Sequence, residues 1–226
     1  MKFKTWLFTG LMAVSSFATA QEVDVAVSEN YEEGVHYFRM TTPVPTIVSK
    51  GKIEVTEIFR FACGGCYYFE KTVAKWKADG LPAQTEFVQS PVVWDDRTKE
   101  RAKVLVIGKA LKLEAETKAA IFKAIHEAPN QKVANAALMD DDSVIALFVG
   151  LGVKAEKVKK LLKNSTIKHR VNQMDERARA FAVNGTPEIF VDGRFRISSK
   201  PAGGFEDMLK IADHLVEKIA AEKGLK

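Results

Sequence analysis

Apolar and polar residues alternate from Ile53 to Phe61, in a run rich in β-branched and aromatic side chains. A period of two with that composition predicts a strand. Directly after it, Cys66, Phe69, Val73 and Trp76 recur at helical spacing until Asp79-Gly80 and Pro82 stop the pattern, so a helix should begin at the cysteines. Thr85 to Gln89 reads as a second strand, and strand, helix and strand in so short a span predict a right-handed βαβ unit. From about Thr98 to Val183 the strand period disappears and four or five amphipathic helical stretches are expected. Breaks fall at Pro129-Asn130 and Gly150 to Gly152, and Asp142 is a candidate cap ahead of Val144, Ile145 and Phe148. The last stretch sets Ile167, Val171, Met174, Ala178 and Phe181 on one stripe and ends at Asn184-Gly185. Strand signals return at Glu188 to Val191 and Arg194 to Ile197, on either side of Asp192-Gly193, a dipeptide suited to a type I′ turn. Gly203-Gly204 then opens a closing helix with Phe205, Met208, Ala212, Leu215 and Ile219 on its inner face. The order is βαβ, a helical block, then ββα, an α/β fold.

Composition narrows the function classes. A chain of 226 residues, 46% hydrophobic and 28% charged, is ordinary globular material and not disordered, collagenous or coiled-coil. Its net charge of +5 is spread along the chain without a basic block or a nucleic-acid-binding motif, which argues against nucleic acid as a partner. Residues 1–20 carry Lys2 and Lys4, an apolar stretch from Trp6 to Val14, and small residues ending Ala18-Thr19-Ala20, the pattern of a secretory signal peptide. The stretch is too short and too interrupted for a membrane span. Export would place the cysteines where disulfides form and persist.

Only Cys63 and Cys66 are present, so a four-cysteine zinc site and a multi-disulfide scaffold are excluded by counting. The pair lies where a strand passes into the first turn of a helix, among amide groups that lack intrahelical partners and favour a thiolate. Cys63, at the outer end, is placed to act as nucleophile and leaving group, and Cys66, one turn inward, to resolve a mixed disulfide. An inert bridge is the competing reading, although closing so short a loop removes only about 2 kcal/mol of unfolded-state entropy. A metal site is the weaker alternative: two sulfurs need two more ligands, and the four histidines show no clustered spacing.

The segment Glu57-Ile58-Phe59-Arg60-Phe61-Ala62 running into Cys63-Gly64-Gly65-Cys66-Tyr67-Tyr68-Phe69-Glu70 resembles the active-site region of the DsbA family of periplasmic thiol:disulfide interchange proteins. Gly185-Thr186-Pro187, ahead of a strand, resembles the cis-proline loop of thioredoxin-like folds. The resemblance spans nearly the whole mature chain. It implies a thioredoxin-like fold, formed by residues 21–97 and 176–226, with an all-helical insertion at 98–175. It further implies that Pro187 follows a cis bond and that Thr186 offers its backbone to an extended substrate. Glu57, six residues before Cys63, matches a buried acidic residue of the family whose task would be proton transfer to Cys66. The strand's alternation sets Glu57 opposite Ile58 without saying which face is dry, so a glutamate facing water stays open.

The family implies a periplasmic oxidoreductase that needs no cofactor beyond its own Cys63–Cys66 disulfide and acts on folding exported proteins. A quinone-linked membrane protein would reoxidise it. An apolar groove around Cys63, Tyr67 and Pro187 would suit such broad recognition. The chain departs from the family in carrying glycine at both positions between the cysteines, where proline and histidine are common. Backbone amides must then do most of the work on the thiolate, and Cys63 should be less depressed than in the strongest oxidases. Threonine at 186 is more typical of isomerases and specialised oxidases. An isomerase or reductase of the same fold, and a secreted binding or chaperone module with an inert bridge, are therefore the alternatives to an oxidase. Asn-X-Ser/Thr matches at Asn164 and Asn184 point to a bacterial periplasm, since a glycan on Asn184 would obstruct the Thr186 loop.

Overall fold

A central five-stranded mixed sheet carries the molecule, with strand order β1-β5-β4-β2-β3. The structure, a computed structural model, describes residues 30–225, and the expected signal peptide at 1–20 lies outside them. Strand β1 is Phe38–Arg39, β2 is Ile53–Phe59, β3 is Thr85–Pro91, β4 is Glu188–Val191 and β5 is Phe195–Ser198. Strands β2 and β3 are parallel and joined through helix α1 (Gly64–Asp79), the expected βαβ unit. β4 pairs antiparallel with both β2 and β5.

Every residue of β2 is buried, because the strand is flanked by neighbours on both edges and covered on both faces. Ile53 and Val55 face a core shared with Phe69 and Val73 of α1 and with Met208, Ala212, Leu215 and Ile219 of the closing helix α9 (Phe205–Glu222). Ile58 faces the other way, toward Phe181 and Phe190. The Asp192-Gly193 turn between β4 and β5 has positive φ at both residues, 54° and 64°, as a type I′ turn requires. Gly193 also lies under the strap at Val44, whose N–H donates to the Gly193 carbonyl at 2.9 Å, leaving no room for a Cβ.

Six helices follow β3: α2 (Asp96–Leu111), α3 (Glu114–His126), α4 (Gln131–Ala136), α5 (Asp141–Gly150), α6 (Ala155–Leu162) and α7 (Ser165–Ala180). The sequence pattern predicted four or five, because α4 and α6 are too short to display a full stripe. The cap of α5 is Asp140, whose side chain accepts from Ser143 N–H, and the expected Asp142 sits inside the first turn. A short helix α8 (Ser199–Ala202) precedes α9. These helices enclose their own core of Leu105, Ile121, Phe122, Phe148 and Val158, which also takes in Phe59, Phe61 and Cys66 from beside the sheet. Residues 98 and 175 both fall inside continuous helices, α2 and α7. The helical block is therefore joined to the sheet by helices running through, and residues from Tyr31 onward form one compact unit.

Arg177, near the end of α7, fastens that helix to the sheet. Its guanidinium pairs with Glu54 of β2 and donates to Pro45 O at 2.9 Å, while Glu54 also accepts from Thr56 and from Ile47 N–H.

Candidate active site

Cys63 is the N-cap of α1, with φ −87° and ψ 117°, and its Sγ accepts from Cys66 N–H at 3.3 Å. Position, not composition, gives the residue this role, for cysteine replaces the usual oxygen-bearing cap. The loop before it is closed by Cys63 N–H donating to Arg60 O at 2.9 Å. Cys63 is half-buried, Cys66 is sealed in the core, and both are free thiols.

A hydrogen bond from the Cys66 thiol is the largest influence on Cys63. With the Thr186 side chain and the Cys66 and Gly65 amides it outweighs burial and brings the Cys63 thiol down to about 5. The same bond, with burial, pushes Cys66 strongly upward. The two sulfurs thus differ in the way attack and resolution require, one ionised at neutral pH and one holding its proton. As a thiol, Cys63 donates to Thr186 O at 3.2 Å, a contact that belongs to the protonated form and is given up on ionisation.

Thr186 and Pro187 lie beside the pair, and the peptide bond between them is cis. A Cβ on Gly65 would lie 3.6 Å from Pro187 Cδ and 3.4 Å from Phe205 Cζ, ordinary contact distances, and one on Gly64 would meet open space. Backbone geometry therefore does not demand glycine at either position. What the two glycines determine is the absence of any side chain at the entrance, which leaves thiolate stabilisation to main-chain donors, Cys66 and Thr186.

Glu57 lies on the α1 face of β2 and is fully buried, so the open question of its orientation resolves toward a dry face. Burial first, then the Glu70 carboxylate, push its carboxyl up to about 8, against the Gln89 hydrogen bond and the Lys118 charge. Its Oε2 accepts from Gln89 Nε2 at 2.6 Å and its Oε1 has no hydrogen-bond partner among the described residues. Pattern reading missed Gln89, Glu70, Lys118 and His126. His126 of α3 sits 2.7 Å from the Phe61 carbonyl through Nε2 and stacks on Tyr67 with ring centres 4.6 Å apart. No local signal marks a helix residue that reaches a loop sixty-odd positions earlier. Tyr67 is thereby packed, whereas Tyr68 is 66% exposed.

The arrangement supplies a nucleophilic sulfur anion, a protonated partner one turn inward, and a cis-proline loop whose Thr186 carbonyl lies 3.2 Å from that sulfur. It suits two-electron exchange between thiols and disulfides.

Comparison with known proteins agrees. The family model for the DSBA-like thioredoxin domain matches residues 97–215. The chain is 32% identical over 213 residues to the thiol:disulfide interchange protein DsbA of Pseudomonas aeruginosa, with 94% of this chain and 95% of that protein covered. It is 30% identical over 208 residues to the protein of the same name from Pseudomonas syringae, with 92% of each covered. The crystal structure of Pseudomonas aeruginosa DsbA superposes with a TM-score of 0.76 at 30% identity, covering 87% of this chain and 98% of that one. An oxidoreductase of Neisseria meningitidis, at 22% identity and a TM-score of 0.71, shares the fold.

Proposed function

This chain belongs to the DsbA family and is a thiol:disulfide oxidoreductase, and from that premise we propose that it donates a Cys63–Cys66 disulfide to exported proteins during oxidative folding. The observation that carries the direction is the place of Cys63 Sγ at the N-cap of α1, accepting from Cys66 N–H at 3.3 Å, where a thiolate and hence the reduced pair is stabilised relative to the disulfide.

In the proposed cycle a substrate thiolate attacks Cys63 Sγ of the disulfide. The S–S bond breaks, and Cys66 leaves and takes a proton from Glu57. A second substrate thiolate then attacks the substrate's own sulfur in the mixed disulfide and releases Cys63 as a thiolate. The substrate loses two electrons and the cysteine pair gains them. Thr186, ahead of Pro187, offers its backbone to an extended substrate segment beside Cys63. The cysteine pair is the whole redox group, with no added cofactor.

In this reading the sheet with α1 and α9 holds the pair, and the helices from α2 to α7 cover Cys66 and Phe61. Residues 1–20 direct export to the periplasm. A quinone-linked membrane protein returns the pair to its oxidised state.

The test is the stoichiometric reaction of the oxidised mature chain with a reduced, unfolded secretory protein that needs disulfides. Rapid substrate oxidation that disappears in Cys63→Ala is the expected result. Failure to oxidise the substrate, or oxidation that persists in Cys63→Ala, would overturn the assignment.

A further inference from the structure

Four polar side chains from four elements meet behind the cysteine pair, with the Gln89 amide as their hub. Gln89 Nε2 donates to Glu57 Oε2 at 2.6 Å and to Glu70 Oε1 at 2.9 Å, while Gln89 Oε1 accepts from Lys118 Nζ at 2.6 Å. Lys118 Nζ also pairs with Glu70 Oε2 at 2.6 Å. Glu57 comes from β2, Gln89 from β3, Glu70 from α1, and Lys118 from α3 in the helical block.

The chemistry of the donors fixes how this cluster is wired. An ammonium has donors only, so Lys118 can face only the oxygen end of the amide. That choice turns both amide hydrogens toward the two carboxylates. Glu57 thus receives its donor because Lys118 holds the opposite end of the same side chain. Its second oxygen, Oε1, is buried without a partner among the described residues and can accept a proton. The side chains of Lys118 and Glu70 are 14% and 23% exposed, so the cluster touches solvent at one end and closes on Glu57 at the other. Among the described residues, Cys63 at the N-cap of α1 and Lys109 from α2 are the other titratable groups that act on this cluster. Lys109 pairs with Glu114 at 3.1 Å and reaches Gln89 O at 3.5 Å.

We propose that Lys118 is the positioning residue for Glu57: by orienting the Gln89 amide and supplying the counter-charge, it sets the pH at which Glu57 exchanges a proton with Cys66. The inference rests on the reading of Glu57 as the proton partner of Cys66. When Cys66 attacks a mixed disulfide at Cys63, its thiol proton passes to Glu57 as the new S–S bond forms and the bound thiolate leaves. In the reverse step the proton returns to the departing Cys66 sulfur. Electrons move only between sulfurs. Lys118, from the helical block, therefore contributes to the sulfur chemistry through the Gln89 amide and Glu57.

The experiment is stopped-flow mixing of the reduced mature chain with excess oxidised glutathione from pH 5 to 10. The phase independent of glutathione concentration reports the attack of Cys66 on the mixed disulfide. Lys118→Met should move the pH midpoint of that phase upward by about one unit, from the loss of a neighbouring opposite charge. Lys118→Arg should restore most of the shift, and the Cys63 alkylation profile should stay where it is. Gln89→Leu, which cuts the link and keeps the lysine, should shift the same midpoint and serves if Lys118→Met does not fold. Unshifted midpoints in the folded Lys118 and Gln89 variants, while Glu57→Gln abolishes the break, would overturn the role of Lys118 and leave Glu57 in place. A Glu57→Gln profile that matches the parent would overturn the Glu57 reading, and this proposal with it.

Discussion

Replacing Cys66 by alanine removes the strongest interaction holding the Cys63 thiolate and leaves the backbone around it intact. In the parent protein Cys63 lies at about 5, and the Cys66 thiol is the leading cause, followed after burial by the Thr186 side chain and the amides of Cys66 and Gly65. A hydrogen bond to a charged group contributes about 1.5 to 3 kcal/mol, or about one to two pKa units. An S–H is a weak donor, and solvent screens a half-buried sulfur, which places the loss near the lower end, at about one unit. The variant should therefore titrate near 6, still well below the free-cysteine value of about 8.5, because the amides and Thr186 remain. At pH 5.5 the thiolate fraction, and with it the rate of alkylation by iodoacetamide, should fall about threefold, whereas at pH 7 it should barely change. With one cysteine left in the chain, ultraviolet absorbance of the thiolate during a pH titration gives the value without ambiguity. A midpoint still at about 5 would show that Cys66 contributes nothing. A return to about 8.5 would show that the helix terminus contributes nothing. Either result refutes a thiolate shared between the inner thiol and the main-chain donors.

Three further outcomes test other parts of the structure. Glu54→Gln leaves the Arg177 guanidinium without its buried counter-charge, and chemical denaturation should show a loss of about 3 kcal/mol; a change below 0.5 kcal/mol would contradict the fastening of α7 to β2. Gly108→Ala should cost about 1 to 3 kcal/mol, because the added methyl meets Thr117 where α2 packs on α3, and an unchanged melting temperature would contradict that packing. Asp213 accepts from Trp76 Nε1 at 2.9 Å and 3.0 Å, and burial pushes its carboxyl up to about 6. A carboxyl raised on folding is held more tightly as the acid, so this site's contribution to stability is complete below about 4 and is lost as pH rises through about 6. Trp76 fluorescence should titrate with that midpoint, and a pH-independent signal matching that of Asp213→Asn would refute it.

Much of this architecture is legible from local pattern, and the failures have physical causes. The β2 alternation, the helix opening at the cysteines and the Asp192-Gly193 turn are visible because each is fixed by short-range chemistry. Strand β1 is not, since two residues paired to an edge carry no periodicity. The face of Glu57 could not be read because β2 is dry on both sides, and a period of two separates faces without saying which is wet. The start of α2 at Asp96 rather than Thr98 follows from a capping box at Asp95, in which Thr98 is the third helical residue and not the first. At the site, the cysteine pair and the Thr186-Pro187 loop stand out as motifs. Lys118 and His126 do not, because their meaning lies in tertiary contacts that bring α3 against β3 and the Phe61 loop.

The most direct measurement is the reduction potential of the purified protein, equilibrated with glutathione across pH 6 to 8. With Cys63 ionised above about 5 and Cys66 still protonated, reduction takes up one proton for two electrons. The expected couple is more oxidising than about −200 mV at pH 7 and falls by about 30 mV per pH unit. A potential below about −250 mV with a slope of about 59 mV per unit would mean that both thiols hold their protons, and would contradict a disulfide donor built on an ionised Cys63.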